Sequence, residues 1–209
     1  MSENIKLYKT AFGLALFTII YNLLEGLIST YLGFEDESLA LFGFGLDSFI
    51  EVISGLGIAH MILRIQNNPN SKRNDFERTA LRITGIAFYI LVVGLVMTSI
   101  YNIWTGHKPI TTFWGVVISV ISILIMWILV VWKRKVGGRL NSAPILADAN
   151  CTMVCVYMSV ILLASSGLYE LFGIRYIDSI GTLGLAYFAF KEGMECFEKA
   201  NSDKNCCCD

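Results

Sequence analysis

Two apolar stretches of this chain carry side chains that can bind a metal ion, and in both stretches these side chains are four residues apart. The pairs are Asp47 with Glu51 and Cys151 with Cys155. Residues four apart lie on one face of an α-helix, separated by about 6 Å along its axis. Carboxylates are costly inside lipid, and their presence there points to a function. Two such faces turned toward each other would supply four ligands around one point.

The chemistry of these ligands narrows the choice of ion. Zn²⁺ accepts both carboxylates and thiolates, whereas Cd²⁺, Hg²⁺ and Cu⁺ favour the sulfurs, and Mg²⁺ and Ca²⁺ do not choose thiolates. We therefore expect Zn²⁺ or another soft divalent ion, with Cd²⁺, Hg²⁺, Cu⁺, Fe²⁺ and Co²⁺ as alternatives. The ion would be a transported substrate, and no cofactor is expected.

Asp148 extends the second pair. It precedes Cys151 by three residues and Cys155 by seven, so all three share one helix face and Asp148 is a candidate ligand. Cysteine is also a common packing residue, and buried acids often pair with a basic side chain. We expect no basic residue at the depth of Asp47 and Glu51, which favours a metal or proton role. A disulfide between the two cysteines is not expected, because a helix holds such side chains apart.

Other polar residues have two readings each. Glu25 either lines an outward path or bonds to a neighbouring helix, and His60 is either polar packing or part of a cation path. Asp178 is expected to be a cap and dipole partner at the amino end of the sixth apolar stretch rather than a ligand. Three adjacent thiols in the carboxyl-terminal tail could capture a soft cation, or mark an unstructured end or a lipidation site. They are Cys206, Cys207 and Cys208.

Long apolar stretches must position these residues. The chain is 55% hydrophobic and 16% charged over 209 residues, and about 20 apolar residues are needed to cross a bilayer as a helix. Alternating polarity, which β-barrel strands require, is absent. The fold class is therefore an all-α membrane protein with a helical domain at 1–198 and a short Cys-rich tail at 199–209. The predicted membrane helices are Lys9–Leu32, Leu39–Ile65, Ala80–Trp104, Ile110–Trp132, Ala143–Phe172 and Tyr176–Phe197.

The distribution of basic residues predicts the orientation. Of the 16 Lys and Arg residues, only Lys108 and Arg175 fall on the side opposite the two termini. The positive-inside rule therefore places both termini in the cytoplasm, and a plasma or inner membrane is the expected location. The net charge of −1, without a large basic block, argues against nucleic-acid binding.

An internal repeat relates the two pairs. Asp47 and Glu51 recur 104 positions later as Cys151 and Cys155, and Ser38 recurs as Ser142. Each pair lies on the middle helix of a three-helix half, and the two helices cross the membrane in opposite directions. Paired sites at a repeat interface are typical of transporters.

At these residues the chain resembles the cation diffusion facilitator family of heavy-metal exporters. The stretch from Ser38 to Glu51 is similar to the family motif of the second helix, and Leu146-Ala-Asp-Ala149 to that of the fifth. The resemblance implies a homodimer that alternates between inward and outward states and couples metal export to proton entry. Cys151 and Cys155 replace the usual His or Asp ligands. The family's cytoplasmic metallochaperone-like domain is not expected, as in its short branch.

Competition between protons and metal at one site is the predicted mechanism. Metal binding requires deprotonated ligands and so releases protons, which makes a cation/proton exchanger the leading hypothesis. A non-transporting metal sensor or modulator of a partner protein is the alternative. A thiol oxidoreductase is less favoured, because no Cys-x-x-Cys motif is present, and enzymatic activity is not expected.

Overall fold

The computed structural model describes residues 2–68 and 75–201, and all regular structure in these ranges is helical. The all-α prediction with six helices is confirmed. The helices are α1 (Ser2–Glu35), α2 (Leu39–Asn67), α3 (Asp75–Thr105), α4 (Phe113–Leu140), α5 (Ala143–Phe172) and α6 (Ile177–Asn201).

The helix bounds differ from the predicted ones where charged residues follow an apolar stretch. α5 has the predicted bounds, but α4 continues past Trp132 to Leu140 and ends at Asn141, whose φ of 47° stops the helix. α6 likewise extends to Asn201. Lys133 and Lys199, expected in polar connections, are therefore helical residues near the bundle interior.

Helices that follow each other run in opposite directions, so the bundle has two distinct ends. At the terminal end, where α1, α3 and α5 begin, Arg78 Nη1 donates to Ala200 O, and Ala11, Ile62 and Ile145 share one apolar cluster. At the far end, where α2, α4 and α6 begin, Ile110 N donates to the Asp36 carbonyl.

Asp178 lies in the first turn of α6, as predicted for a partner of that helix dipole, but its side chain caps a different helix. Its carboxylate accepts hydrogen bonds from Ser38 Oγ at 2.7 Å and from Leu39 N at 2.8 Å, both at the start of α2. Asp178 therefore caps α2 rather than its own helix, α6, and it joins the two helices at the far end.

Five of the described helices, α1 to α5, are long and apolar enough to cross a membrane. α6 is not among them, because its second half carries several charged residues. These residues are Lys191, Glu192, Glu195, Glu198 and Lys199. On the outer surface, apolar side chains such as Ile90 and Met97 are about two-thirds exposed, at 68% and 67%, which suits contact with lipid tails.

α2 is the central helix and contacts each of the other five. Its approach to α1 is very close, because a Cβ atom at Gly33 would meet the Phe42 backbone and one at Gly45 would lie 2.5 Å from Thr30 Oγ1. Small residues allow such backbone contact between membrane helices. Asp47 and Glu51 therefore lie on the helix that packs against all the other described helices.

Candidate metal site

The two predicted ligand pairs meet at one point of contact between α2 and α5. Cys155 Sγ donates to Glu51 Oε1 at 2.6 Å. Cys155 is only 6% exposed, so water competes little for this contact. One pair of positions related by the 104-residue repeat, Glu51 and Cys155, is thus in direct contact.

α1 supplies a third residue to this contact. Asn22 Nδ2 donates to Glu51 Oε2 at 2.7 Å, and Asn22 is 1% exposed. Both Glu51 oxygens therefore have a partner, one from each neighbouring helix. Sequence reasoning did not assign Asn22 to the site, because an amide in a membrane helix is not a strong metal-ligand signal.

Asp47 lies one turn along α2 toward the far end. It is 3% exposed, and its Oδ1 has no hydrogen-bond partner among the described residues. It is close enough to Cys155 to interact electrostatically. No ion pair within the described residues involves Asp47 or Glu51. A buried carboxylate oxygen without a donor is suited to bind a proton or a cation.

Cys151 is turned away from the other three candidate ligands. Its Sγ accepts a hydrogen bond from Lys199 Nζ of α6 at 3.2 Å. Over residues 2–68 and 75–201, no three His, Cys, Asp or Glu side chains come together as a ready metal site. The four predicted ligands are therefore staggered: Cys155 faces Glu51, and Cys151 lies nearer the terminal end.

Asp148 forms a buried ion pair rather than extending the cysteine pair. Its carboxylate lies 3.0 Å from Lys133 Nζ of α4, and the same ammonium donates to Thr152 Oγ1 at 2.9 Å. Lys133 is 2% exposed. This ion pair was not predicted, because Lys133 follows the last apolar residue of the predicted fourth helix. Its long side chain reaches inward from the last turns of α4. A metal-ligand role for Asp148 stays a prediction.

A cavity of about 110 Å³ connects these residues to the terminal end. Glu51 and Cys155 lie on its wall at the inner limit, and Lys199 and Glu77 line it nearer the terminal end. Glu192 of α6 also lines the cavity, and its buried Oε1 has no hydrogen-bond partner in the described part of the chain. Sequence reasoning missed Glu192, although Glu192 and Cys196 repeat the same four-residue spacing on a third helix.

Glu25 and His60 have protein partners. Glu25 accepts hydrogen bonds from Tyr21 OH at 2.8 Å and from Ser48 Oγ of α2 at 3.2 Å, which is the helix-bonding alternative. His60 Nδ1 lies 3.1 Å from Glu77 Oε1. A path role for either residue stays a prediction, and Cys206, Cys207 and Cys208 lie outside the described residues.

Comparison with known proteins identifies the family of the transmembrane domain. The family model described as the cation efflux transmembrane domain matches residues 14–203. An uncharacterized transporter of Methanocaldococcus jannaschii is 24% identical over 179 residues, which are 83% of this chain and 62% of that protein. The chain thus spans about three-fifths of the length of this curated relative.

Proposed function

This chain belongs to the cation efflux family, and we propose that it transports Zn²⁺ or a similarly soft divalent cation in exchange for protons. The coarser conclusion, a multi-pass membrane transporter of cations, follows from the family match over residues 14–203 and the apolar helices. The identity of the ion and the coupling to protons are the proposal.

The contact between Cys155 Sγ and Glu51 Oε1 carries the proposal. A thiol and a carboxylate in contact inside a buried pocket need at least one proton between them, because two negative charges would repel each other there. A divalent cation can take the place of that proton, since metal binding requires deprotonated ligands and releases protons. The same atoms then hold either protons or metal, which is the basis of exchange.

Asp47 and Cys151 would complete the ligand set after a small rearrangement. Asp47 has a buried oxygen without a hydrogen-bond partner among the described residues, one turn from Glu51, and Cys151 lies one turn from Cys155 on the cavity side. Rotation of the Cys151 side chain away from Lys199, with a slight shift of α5 along α2, would bring two oxygens and two sulfurs to one ion. Zn²⁺ and Cd²⁺ accept such a tetrahedral set.

The position of the cavity supports an inward-facing state. It reaches Glu51 and Cys155 from the terminal end, while the contact of Asp178 with α2 closes the far end. The excess of Lys and Arg at the terminal end predicts that this end is cytoplasmic. With an inward proton gradient, exchange would then export metal. The family resemblance further implies a homodimer, in a plasma or inner membrane.

Flux measurements in proteoliposomes test the proposal. Purified protein should accumulate Zn²⁺ or Cd²⁺ when a pH gradient is imposed, and Glu51→Gln should abolish this uptake. Glu198→Gln is the matched control, because Glu198 is an exposed carboxylate on α6. Uptake that is independent of the pH gradient would overturn proton exchange. Saturable metal binding without any flux would favour the sensor or modulator alternative.

A further inference from the structure

Lys199 places a positive charge where the cavity meets Cys151. Its Nζ donates to Cys151 Sγ at 3.2 Å and lies 3.2 Å from Glu195 Oε2 on the preceding turn of α6. The Lys199 side chain is 11% exposed and lines the cavity. An ammonium group thus lies against the thiol that the proposed function requires as a ligand.

Glu192 offers this ammonium another acidic partner besides Glu195. Glu192 and Lys199 are seven residues apart on α6, so they share one helix face, and the two side chains interact electrostatically. Glu192 Oε1 is buried and has no hydrogen-bond partner among the described residues. Glu195 already contacts Lys199. The ammonium therefore has acidic partners on its own helix, one of them with an unused oxygen.

We propose that the Lys199 ammonium is a tethered cation that occupies the position beside Cys151 in the empty cavity. An incoming cation takes this position only when the ammonium moves away to Glu192. The inference deepens the proposed function and rests on it, because it names the residue that controls cation access to Cys151.

Repulsion between positive charges explains why the Lys199 ammonium would control cation access to Cys151. Two cations compete for the position beside one sulfur, because like charges in contact range repel each other, and more strongly away from bulk water. While Lys199 stays at Cys151, the wall of the cavity repels cations. Once it moves to Glu192, the position beside the thiol is vacant for a cation, and the ammonium keeps a carboxylate partner.

Lys133 also lines the cavity, but its ammonium cannot leave its partners in the way proposed for Lys199. Its ammonium is held by Asp148 and Thr152 at 3.0 Å and 2.9 Å, and its side chain is only 2% exposed. Moving it would leave a buried carboxylate unpaired, which is strongly unfavourable. Lys133 is therefore a fixed part of the α4–α5 contact, whereas Lys199 can exchange partners along α6.

Charge-selective labelling of Cys151 tests the inference without any metal. In a protein with Cys155, Cys196 and the tail cysteines replaced by serine, a cationic and a neutral methanethiosulfonate reagent are compared. The labelling rate of the cationic reagent is divided by that of the neutral one. Changes in the reactivity of the thiol affect both rates and cancel in this ratio. Lys199→Gln should raise the cationic-to-neutral ratio by about tenfold, the effect of one nearby unit charge. Lys199→Arg, which keeps the charge, should leave it near the native value.

Lys191→Gln is the control, because Lys191 is an exposed lysine on the same helix. A ratio that does not change in Lys199→Gln, or that changes equally in Lys191→Gln, overturns the inference. If Lys199→Gln does not fold, Glu192→Gln gives the same test in the opposite direction. It keeps the ammonium at Cys151 and should lower the ratio, whereas an unchanged or higher ratio contradicts the inference.

Cd²⁺ binding, followed by the ultraviolet absorbance of the cadmium–thiolate bond, then separates the two proposals. Lys199→Gln in the protein with all its cysteines should bind Cd²⁺ about tenfold more tightly than the native chain. Unchanged or weaker binding contradicts displacement of the ammonium by metal. Failure of the native chain to bind Cd²⁺ at all would refute the proposed function, and the labelling ratio would still decide whether Lys199 controls cation access to Cys151.

Discussion

Asp178 and Ser38 join the amino ends of α6 and α2: the carboxylate accepts the serine hydroxyl at 2.7 Å and the Leu39 N–H at 2.8 Å. Both side chains are buried, Asp178 at 2% exposure and Ser38 at 0%. This contact closes the end of the bundle opposite the cavity. The proposed exchange mechanism requires that end to open, so it predicts that the Asp178–Ser38 contact breaks when the far end opens.

Asp178→Asn should weaken the contact between α6 and α2 at the far end. The amide retains the shape of the carboxylate but loses the charge that strengthens both hydrogen bonds. The free energy of unfolding should fall by about 1–3 kcal/mol. We expect a lower thermal midpoint in detergent and faster labelling of a cysteine introduced at Ala40, a fully buried residue in the first turn of α2. Glu37→Gln is the control, since Glu37 is an exposed carboxylate at the same end. Equal effects of the two substitutions would show that the far end is not held by Asp178.

Cys155→Ser should change ion selectivity more than overall binding. Oxygen replaces a soft sulfur, so affinity for Cd²⁺ should fall more than affinity for Zn²⁺. Competition titrations of the purified protein with the two ions measure this difference. Cys196→Ser is the matched control, because Cys196 is a buried thiol on the cavity wall that is not among the predicted ligands. A larger selectivity change in Cys196→Ser would indicate that the sulfur ligand is Cys196 on α6.

Asn22→Leu tests whether α1 positions the Glu51 carboxylate. Leucine has a similar size but cannot donate to Glu51 Oε2, so the carboxylate loses one of its two partners. Loss of a group that orients a metal ligand typically lowers affinity by about tenfold or more. Metal affinity and the thermal midpoint are measured together. Thr18→Val is the control, because the Thr18 hydroxyl donates to Leu14 O in its own helix. A loss of affinity no greater than that of Thr18→Val would exclude a positioning role.

Lys133→Met should destabilise the fold strongly. The substitution leaves the Asp148 carboxylate buried without its counter-charge. This should lower the free energy of unfolding by about 3–5 kcal/mol. Adding Asp148→Asn should restore part of the lost stability, because the unpaired charge is then removed as well. Chemical unfolding of the single and double variants measures both effects.

The same variants decide the role of Asp148. If Asp148→Asn in the native background lowers stability but leaves Cd²⁺ and Zn²⁺ affinity unchanged, Asp148 is a structural partner of Lys133. If affinity falls at unchanged stability, Asp148 is a metal ligand as the sequence spacing predicts. Thr152→Val, which removes the other acceptor of the Lys133 ammonium, shows how much of any effect comes from the α4–α5 contact alone.

Much of the fold was readable from the sequence. Runs of apolar residues longer than the bilayer is thick can only be helices, and their number and order set the antiparallel bundle. Four-residue spacing placed Asp47 with Glu51, and Cys151 with Cys155, on single helix faces, and the repeat predicted that the two faces meet. The contact between Glu51 and Cys155 is the part of this prediction that the structure bears out.

The tertiary structure alone decided how far α5 is displaced along α2, and with it which ligands touch. Such displacements depend on how closely helix backbones pack, as α1 and α2 do at Gly45 against Thr30, and periodicity does not encode that packing. The tertiary structure also decided the partners of Lys133 and Lys199, because a flexible four-carbon side chain reaches groups several residues away from its own position. Local spacing determines which side chains share a face, but only packing between helices determines which of them meet.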